Sequence, residues 1–173
     1  MSNTKTNNFC IKNSYIINNP FMSKYQKYED SAKNSVTYQS EVYKLARKLI
    51  KENKINSVLD IGCGYGEKLK KFIYPICSEI TGIDSEHGVS YCKEKHNFGK
   101  WYVDNLDNPR LNLFEKFDLV ISADVIEHLE NPDILIDQIK KYSKKNSLIL
   151  LSTIERNSLC GKSILDLRGT LAM

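Results

Sequence analysis

The sequence predicts an α/β fold in which a doubly wound sheet of five parallel strands carries helices on both faces. Apolar stretches of strand length alternate five times with segments of helical periodicity, which is typical of parallel strands joined by right-handed crossovers. In residues 57–67, SVLDIGCGYGE, a short apolar run passes into a glycine-rich turn and then into a helix start. This arrangement is typical of a loop that binds a nucleotide-like ligand.

Length and composition fit one globular domain. The chain has 173 residues, of which 41% are hydrophobic and 27% charged, with a net charge of +4. The lysine clusters at 68–71 and 140–145 fit solvated helix faces, so we expect no nucleic-acid partner. No apolar run approaches the roughly 20 residues of a membrane span, and the first residues lack a signal-peptide core. Five irregularly spaced cysteines predict reduced thiols, no metal pattern and a cytoplasmic protein.

The first part of the chain divides near residue 35. We expect residues 1–35 to be a flexible leader, in which the aromatic stretch around 20–30 is either a lid over the ligand or an arm packed on the outside. Residues 36–173 form the predicted binding domain. Its first helix, 36–53, has one apolar face. The polar and aromatic residues 38–43 at its start either reach the ligand or only cap the helix.

The glycine turn separates two classes of ligand. A dinucleotide loop needs the spacing G-x-G-x-x-G, but here Glu67 takes the place of the third glycine and Asp60 precedes the turn. A carboxylate at this position would repel a pyrophosphate but could pair with an ammonium group. An NAD-dependent oxidoreductase is therefore disfavoured, and a turn that binds nothing is the remaining alternative.

Acidic residues end the predicted strands. After the first strand come strands at 79–84, 100–104, 117–122 and 147–152, with helices at 86–95 and 133–142. Asp60, Asp84, Asp104 and Asp124 stand at the carboxyl ends of the first four strands, where parallel sheets bind ligands. A carboxylate such as Asp84 can accept from both hydroxyls of a ribose, although it could equally cap the next helix.

The motifs VLDIGCGYG, GID, VDNLD, FDLVISADVIEHLENP and LILLST resemble those of the class I S-adenosylmethionine-dependent methyltransferases, in the same order and spacing. The resemblance runs from about residue 57 to 161 and implies a Rossmann-like sheet and S-adenosylmethionine as cofactor, with S-adenosylhomocysteine as product. Residues 152–161 resemble a subgroup that methylates small molecules or sugar-linked groups. We therefore expect methyl transfer to a small-molecule acceptor, most simply to a hydroxyl oxygen.

The resemblance also implies roles for individual residues. The methionine part of the cofactor would lie against Asp60 and the backbone of Gly62, Cys63, Gly64 and Gly66. Asp84 and the neighbouring Ser85 would bind the ribose, and Asp104 and Asn105 the adenine. Ala123 and Asp124 would form the floor beside the sulfonium. Taken by itself, Cys63 is interpreted as a small packing residue.

His128 is the predicted catalytic base, with Asp124 beside it. An alcohol must lose a proton as it attacks, which suits a histidine. His128 could instead only hold its loop by hydrogen bonds. His87 and His96 are interpreted as polar surface residues. A further alternative takes Asp124, Glu127 and His128 as a divalent-metal site, as in some methyltransferases that act on RNA or quinone precursors.

The predicted fold departs from the family at its end. The full class I sheet continues into a hairpin after the fifth strand, but only 21 residues follow Ser152. We expect this hairpin to be missing or incomplete, and a second copy or another partner to cover the open edge. A truncated or degenerate module that binds the cofactor without turnover is the corresponding alternative function.

Overall fold

The computed structural model describes residues 36 and 39–153, in which helices flank one parallel sheet. The elements are helix α1 (Ser40–Asn53), strand β1 (Ser57–Ile61), a π-helix (Leu69–Ile73), β2 (Glu79–Asp84), α2 (Glu86–Lys95), β3 (Lys100–Val103), β4 (Phe117–Ala123), a 3-10 turn (Ile126–His128), α3 (Pro132–Tyr142) and β5 (Ser143–Ser152). The predicted leader or lid and the expected loss of the C-terminal hairpin lie outside the described residues, as does the outer part of the 152–161 motif.

The sheet has five strands in the order β3-β2-β1-β4-β5, and every described pair is parallel. The prediction of a doubly wound parallel sheet is therefore confirmed. Strand β1 is central and pairs with β2 on one side and β4 on the other. Because the chain reverses its direction of winding next to β1, the crevice at the carboxyl ends of β1 and β4 is the place where such sheets bind ligands.

Side chains alternate between two apolar clusters, one on each face of the sheet. Val58 of β1 belongs to the cluster formed with α1, the π-helix and α2, whereas Leu59 and Ile61 belong to the cluster formed with α3. Burial on both faces explains why the central strands read as nearly continuous apolar runs. Both faces are covered by helices, as the sequence predicts.

The sequence predicts a helix that starts after the glycine turn, and the structure differs from this prediction in the kind of helix. The helix begins at Glu67 but widens into a π-helix at Leu69–Ile73. The amide of Tyr74 donates to the carbonyl of Leu69 at 2.8 Å, five residues earlier. Leu69 and Ile73 are both fully buried, so the wide turn places two apolar side chains against the sheet. An apolar pattern of this length predicts a helix but does not distinguish the two kinds of turn.

Strand β5 is longer than predicted, because it begins at Ser143 directly after α3 and not at residue 147. Its first residues are polar and carry no strand pattern. Pairing of Ser143 with Phe117 holds them in place, and Lys144 Nζ lies 2.6 Å from Asp118 Oδ1. Smaller differences are the start of α1 at Ser40 and the extension of β4 to Ala123.

Asp118 joins three strands at the amino end of the sheet. Its Oδ2 accepts hydrogen bonds from the amides of Asn56 and Ser57 at 3.2 and 3.1 Å and from the Ser57 hydroxyl at 3.0 Å, while its Oδ1 accepts from Lys144 at 2.6 Å. Burial raises the pKa of Asp118, but the hydrogen bonds from Lys144, Asn56 and Ser57 outweigh it and leave the pKa below its usual value. The ionised carboxylate therefore stabilises the folded chain.

We predict that Asp118→Ala lowers the free energy of unfolding at pH 7 by about 1–3 kcal/mol, because several amide and charged donors lose their acceptor. Since the pKa of Asp118 is lower in the folded than in the unfolded chain, this stabilisation is present above about pH 4 and is lost as the pH falls through the folded pKa. Urea unfolding between pH 3 and pH 7 measures the difference. Asp137→Ala, at an exposed position of α3, is the control, and an equal loss in both variants would contradict the prediction.

Candidate functional site

The glycine turn lies at the carboxyl end of β1, and its three glycines serve two purposes. Gly62, Gly64 and Gly66 all have positive φ, at 84°, 56° and 67°. A Cβ on Gly62 would lie 2.2 Å from Val125, and one on Gly66 would lie 2.9 Å from Trp101. A Cβ on Gly64 would meet nothing within 4 Å. Gly62 and Gly66 are therefore required for packing, whereas Gly64 exposes bare backbone to open space.

Strand β2 holds this turn in place. The amides of Gly62 and Cys63 donate to the carbonyl of Ile83 at 2.8 and 3.2 Å, and the amide of Gly64 donates to Asp84 Oδ2 at 2.7 Å. Cys63 is buried, in agreement with its interpretation as a packing residue. These hydrogen bonds fix the turn against β2.

Asp60 lies within β1 and is completely buried. The hydroxyl of Tyr43 donates to its Oδ2 at 2.7 Å, but its Oδ1 has no hydrogen-bond partner among the described residues. Burial raises the pKa of Asp60 to about 7, although the Tyr43 hydrogen bond and the charge of Lys68 act in the opposite direction. A buried carboxylate with one unsatisfied oxygen is costly, so this position is suited to receive a cationic donor.

Asp84 ends β2 and organises the entrance to α2. Its Oδ1 accepts from the amide and the hydroxyl of Ser85 at 2.7 and 3.0 Å, while its Oδ2 accepts from Gly64. The helix-cap alternative does not describe it, because Ser85 occupies the cap position of α2. Asp84 instead couples the end of β2 to the glycine turn, with its carboxylate held in one orientation.

Asp104 and Asn105 follow β3 and mainly order their own loop. Asp104 Oδ1 accepts from the amides of Asn105 and Arg110 at 3.0 and 2.9 Å, and its Oδ2 accepts from Leu111 at 3.1 Å. The amide of Asp104 donates to the carbonyl of Asp84 at 3.0 Å. The structure thus places this loop next to Asp84, while the predicted contact of Asp104 and Asn105 with adenine stays a prediction.

Asp124 and Gln39 meet across the carboxyl end of the sheet. Gln39 Nε2 donates to Asp124 Oδ2 at 2.9 Å, and the Ser152 hydroxyl donates to Asp124 Oδ1 at 2.9 Å. Both Gln39 and Asp124 have left-handed backbones, with φ of 60° and 56°, and such strain in residues other than glycine is concentrated at functional sites. Gln39 makes no side-chain cap, so the start of α1 reaches toward the site. Ala123, just before Asp124, is buried.

The position of Lys68 shows that the lysine cluster at 68–71 is not entirely the solvated helix face that the sequence predicts. Lys70 and Lys71 are exposed, but Lys68 is half-buried, and its Nζ donates to Gln39 Oε1 at 2.5 Å. The same Nζ lies 5.3 Å from the centroid of the Tyr43 ring. Burial lowers the pKa of Lys68, while the carboxylates of Asp60 and Asp124 act in the opposite direction. The ammonium therefore lies inside the group of acids.

His128 ends the 3-10 turn after β4 and is half-buried. Burial raises the pKa of the neighbouring Glu127, with a further increase from the charge of Asp124 and a decrease from that of His128. Across the described part of the chain, no group of three or more His, Cys, Asp or Glu side chains could hold a metal ion. The alternative metal site at Asp124, Glu127 and His128 is therefore not supported.

His96 is not the surface residue that the sequence suggests. Its side chain is fully buried, and its Nε2 lies 2.8 Å from the carbonyl of Tyr65. His96 thus supports the glycine turn from the α2 side. His87, by contrast, is exposed as expected.

Sequence reasoning placed Tyr43 only within the stretch 38–43 and did not pair it with Asp60. It missed the roles of three further polar residues that the fold brings to the site: Lys68, His96 and Ser152. A signal existed for Tyr43, which falls next to Val42 on the buried part of α1. The hydroxyl of a buried tyrosine needs a hydrogen-bond partner, and Asp60 is the acid of the next strand along the chain. No comparable signal separates Lys68 from Lys70 and Lys71.

Comparison with known proteins matches this chain to a family. A family model described as "Methyltransferase domain" matches residues 32–172. Over 144 residues the chain is 27% identical to a mitochondrial ubiquinone biosynthesis O-methyltransferase of Dictyostelium discoideum, with 72% of this chain and 45% of that protein covered. It is 33% identical over 110 residues to a ubiquinone biosynthesis O-methyltransferase of Rickettsia conorii, with 57% of this chain and 35% of that protein covered.

Solved structures show the same fold. The plantazolicin methyltransferase BpumL, crystallised with a monoazolic desmethylPZN analogue and SAH, matches with a TM-score of 0.61 and 22% identity, over 80% of this chain and 58% of that one. CalS10, an amino pentose methyltransferase from Micromonospora echinaspora with bound SAM, matches with a TM-score of 0.58 and 14% identity, over 66% of this chain and 50% of that one.

The chain spans less than half the length of these two curated relatives. None of the described helices is both long enough and apolar enough to cross a membrane. Because the family match extends over most of the sequence, the chain belongs to the methyltransferase-domain family and has the Rossmann-like fold of the class I S-adenosylmethionine-dependent methyltransferases.

Proposed function

We propose that this chain transfers a methyl group from S-adenosylmethionine to a hydroxyl of a small molecule, such as a sugar-linked group or another metabolite. One observation carries the proposal: the buried carboxylate of Asp60, the open backbone at Gly64 and the fixed carboxylate of Asp84 meet at the carboxyl edge of the sheet. Asp60 is suited to bind an ammonium, the open backbone at Gly64 leaves room for a closely packed ligand chain, and Asp84 is suited to bind a ribose diol.

The residues present fit this cofactor. Asp60 leaves one buried oxygen without a partner, which is suited to the ammonium of the methionine end. Bare backbone at Gly64 leaves space against the turn, with Gly62, Cys63 and Gly66 shaping its path. Asp84 and Ser85 would hold the ribose, and Asp104 and Asn105 the adenine. When bound, the cofactor supplies a methyl group on a positively charged sulfur.

For the acceptor, the chain must supply orientation and remove a proton. Ala123 ends β4 and Asp124 follows it, where they would form the floor beside the sulfonium. His128 lies at the next turn, and a neutral imidazole there could accept the hydroxyl proton of the acceptor. A small-molecule hydroxyl is favoured because the curated relatives named above are O-methyltransferases.

We also propose a cytoplasmic location. The thiols of Cys63, Cys77 and Cys92 are buried and unpaired, as is usual for proteins of reducing compartments.

We predict that Asp84→Asn weakens S-adenosylhomocysteine binding about 10- to 100-fold, because an amide offers one acceptor oxygen to the ribose in place of two. Calorimetric titration measures the loss, and thermal unfolding checks that the glycine turn survives. Asp137→Asn is the control. Failure of the folded wild-type chain to bind the product would contradict the proposed function itself.

We predict that Asp60 makes the unliganded chain less stable as the pH rises from 5 to 8. Its pKa is about 7 in the folded chain and about 4 when unfolded. The folded chain therefore binds more protons between these values, and its free energy of unfolding falls by roughly 2 kcal/mol from pH 5 to pH 7, then levels off. Asp60→Asn should remove this decrease in urea unfolding experiments. An unchanged pH dependence in the variant would exclude Asp60 as its source.

We predict that His128→Gln lowers the rate of methyl transfer about 100-fold or more while changing the affinity for S-adenosylhomocysteine less than about threefold. The assay follows labelled methyl groups from S-adenosylmethionine into a panel of phenols and sugar alcohols. His87→Gln, at an exposed position, is the matched control. Equal turnover by both variants would reduce His128 to a residue that holds its loop, and no turnover by the wild-type chain with any acceptor would favour the cofactor-binding module.

A further inference from the structure

We propose that Lys68 is the binding residue for the carboxylate of the cofactor's methionine end, so that Lys68 and Asp60 together recognise an α-amino-acid zwitterion. The inference rests on the proposed cofactor and is independent of the acceptor. It adds a cation to a site whose other predicted side-chain ligands for the cofactor are acids, one amide and one hydroxyl. It also makes the carboxylate a feature by which this chain selects its cofactor.

Lys68 has hydrogen-bonding capacity to spare. An ammonium carries three donors, yet within the described residues Lys68 makes one hydrogen bond, to Gln39. It belongs to none of the ion pairs found there within 4.0 Å. A partly desolvated cation with a single neutral acceptor is unfavourable. Two donors therefore remain for an anionic ligand.

Tyr43 keeps Lys68 and Asp60 close together without letting them neutralise each other. The hydroxyl of Tyr43 binds Asp60 Oδ2 at 2.7 Å, whereas its ring faces Lys68 Nζ at 5.3 Å from the centroid. The two charges are near enough that each shifts the titration of the other. A simple counter-ion to Asp60 would instead form a direct pair with the buried Oδ1, which has no partner in the described structure.

The ligand chemistry follows from these two half-satisfied groups. Asp60 Oδ1 requires a donor, for which an ammonium is suited, and Lys68 requires an acceptor, for which a carboxylate is suited. An α-amino-acid group carries both on adjacent atoms. Without Lys68, such a carboxylate would approach three acids, Asp60, Asp84 and Asp124, with no positive side chain to offset their charge. Repulsion between like charges would then oppose its binding.

Calorimetric titration with two ligands tests the inference: S-adenosylhomocysteine, and its decarboxylated analogue, which keeps the amine. We expect the wild-type chain to bind S-adenosylhomocysteine at least about 10-fold more tightly than the analogue. Lys68→Met should lose about 10- to 100-fold in affinity for S-adenosylhomocysteine and less than about threefold for the analogue. Lys68→Arg should keep the preference, because the cation is retained.

Lys70→Met, at an exposed position two residues along the same helix, is the control and should bind both ligands as the wild-type chain does. Equal affinities of the wild-type chain for the two ligands would overturn the inference without any variant. Equal losses for both ligands in Lys68→Met would overturn it too, since they would indicate a general disturbance of the turn. Binding of neither ligand by the wild-type chain would remove the proposed cofactor, and with it the inference.

Discussion

The hydrogen bond from Tyr43 to Asp60 is the interaction on which the rest of the site depends. It fixes helix α1 against the central strand β1 and holds a carboxylate inside the apolar centre of the sheet. A carboxylate buried in this way opposes folding, so the packing of two apolar clusters must offset it. The buried Asp60 carboxylate therefore lowers the stability of the folded chain, and a cationic group of a ligand bound there would offset this loss.

Around this interaction, hydrogen bonds tie together segments that are far apart in sequence. Lys68 binds Gln39, and Gln39 binds Asp124, which in turn accepts from Ser152. The chain of bonds runs from the glycine helix through the start of α1 to the ends of β4 and β5. Each member lies at the end of an element, so the parallel topology alone brings them to one edge. The site is consequently a property of the whole sheet and not of the glycine turn alone.

Much of this could be predicted from sequence, for physical reasons. The five parallel strands follow from alternating apolar runs. The acids at 84, 104 and 124 stand where those runs stop, and Asp60 interrupts the first run. The features that the sequence did not predict depend on residues that are close in space but distant in the chain. Nothing in the sequence distinguishes Lys68 from the exposed Lys70, because the difference arises from the position of Gln39. Likewise, His96 is buried where its ring contacts the carbonyl of Tyr65, and the polar start of β5 is a strand because Ser143 pairs with Phe117 of β4.

The π-helix at Leu69–Ile73 has a consequence for comparing this chain with its relatives. A turn closed by a bond between residues five apart holds about one residue more than an α-helical turn, and one residue corresponds to about 100° of rotation. The side chains after Ile73 therefore point to a different side from those of a relative whose helix is α throughout. A gapless alignment with such a relative that is correct at the glycine turn is one position out of phase by Tyr74. A single-residue gap within the helix would correct this shift.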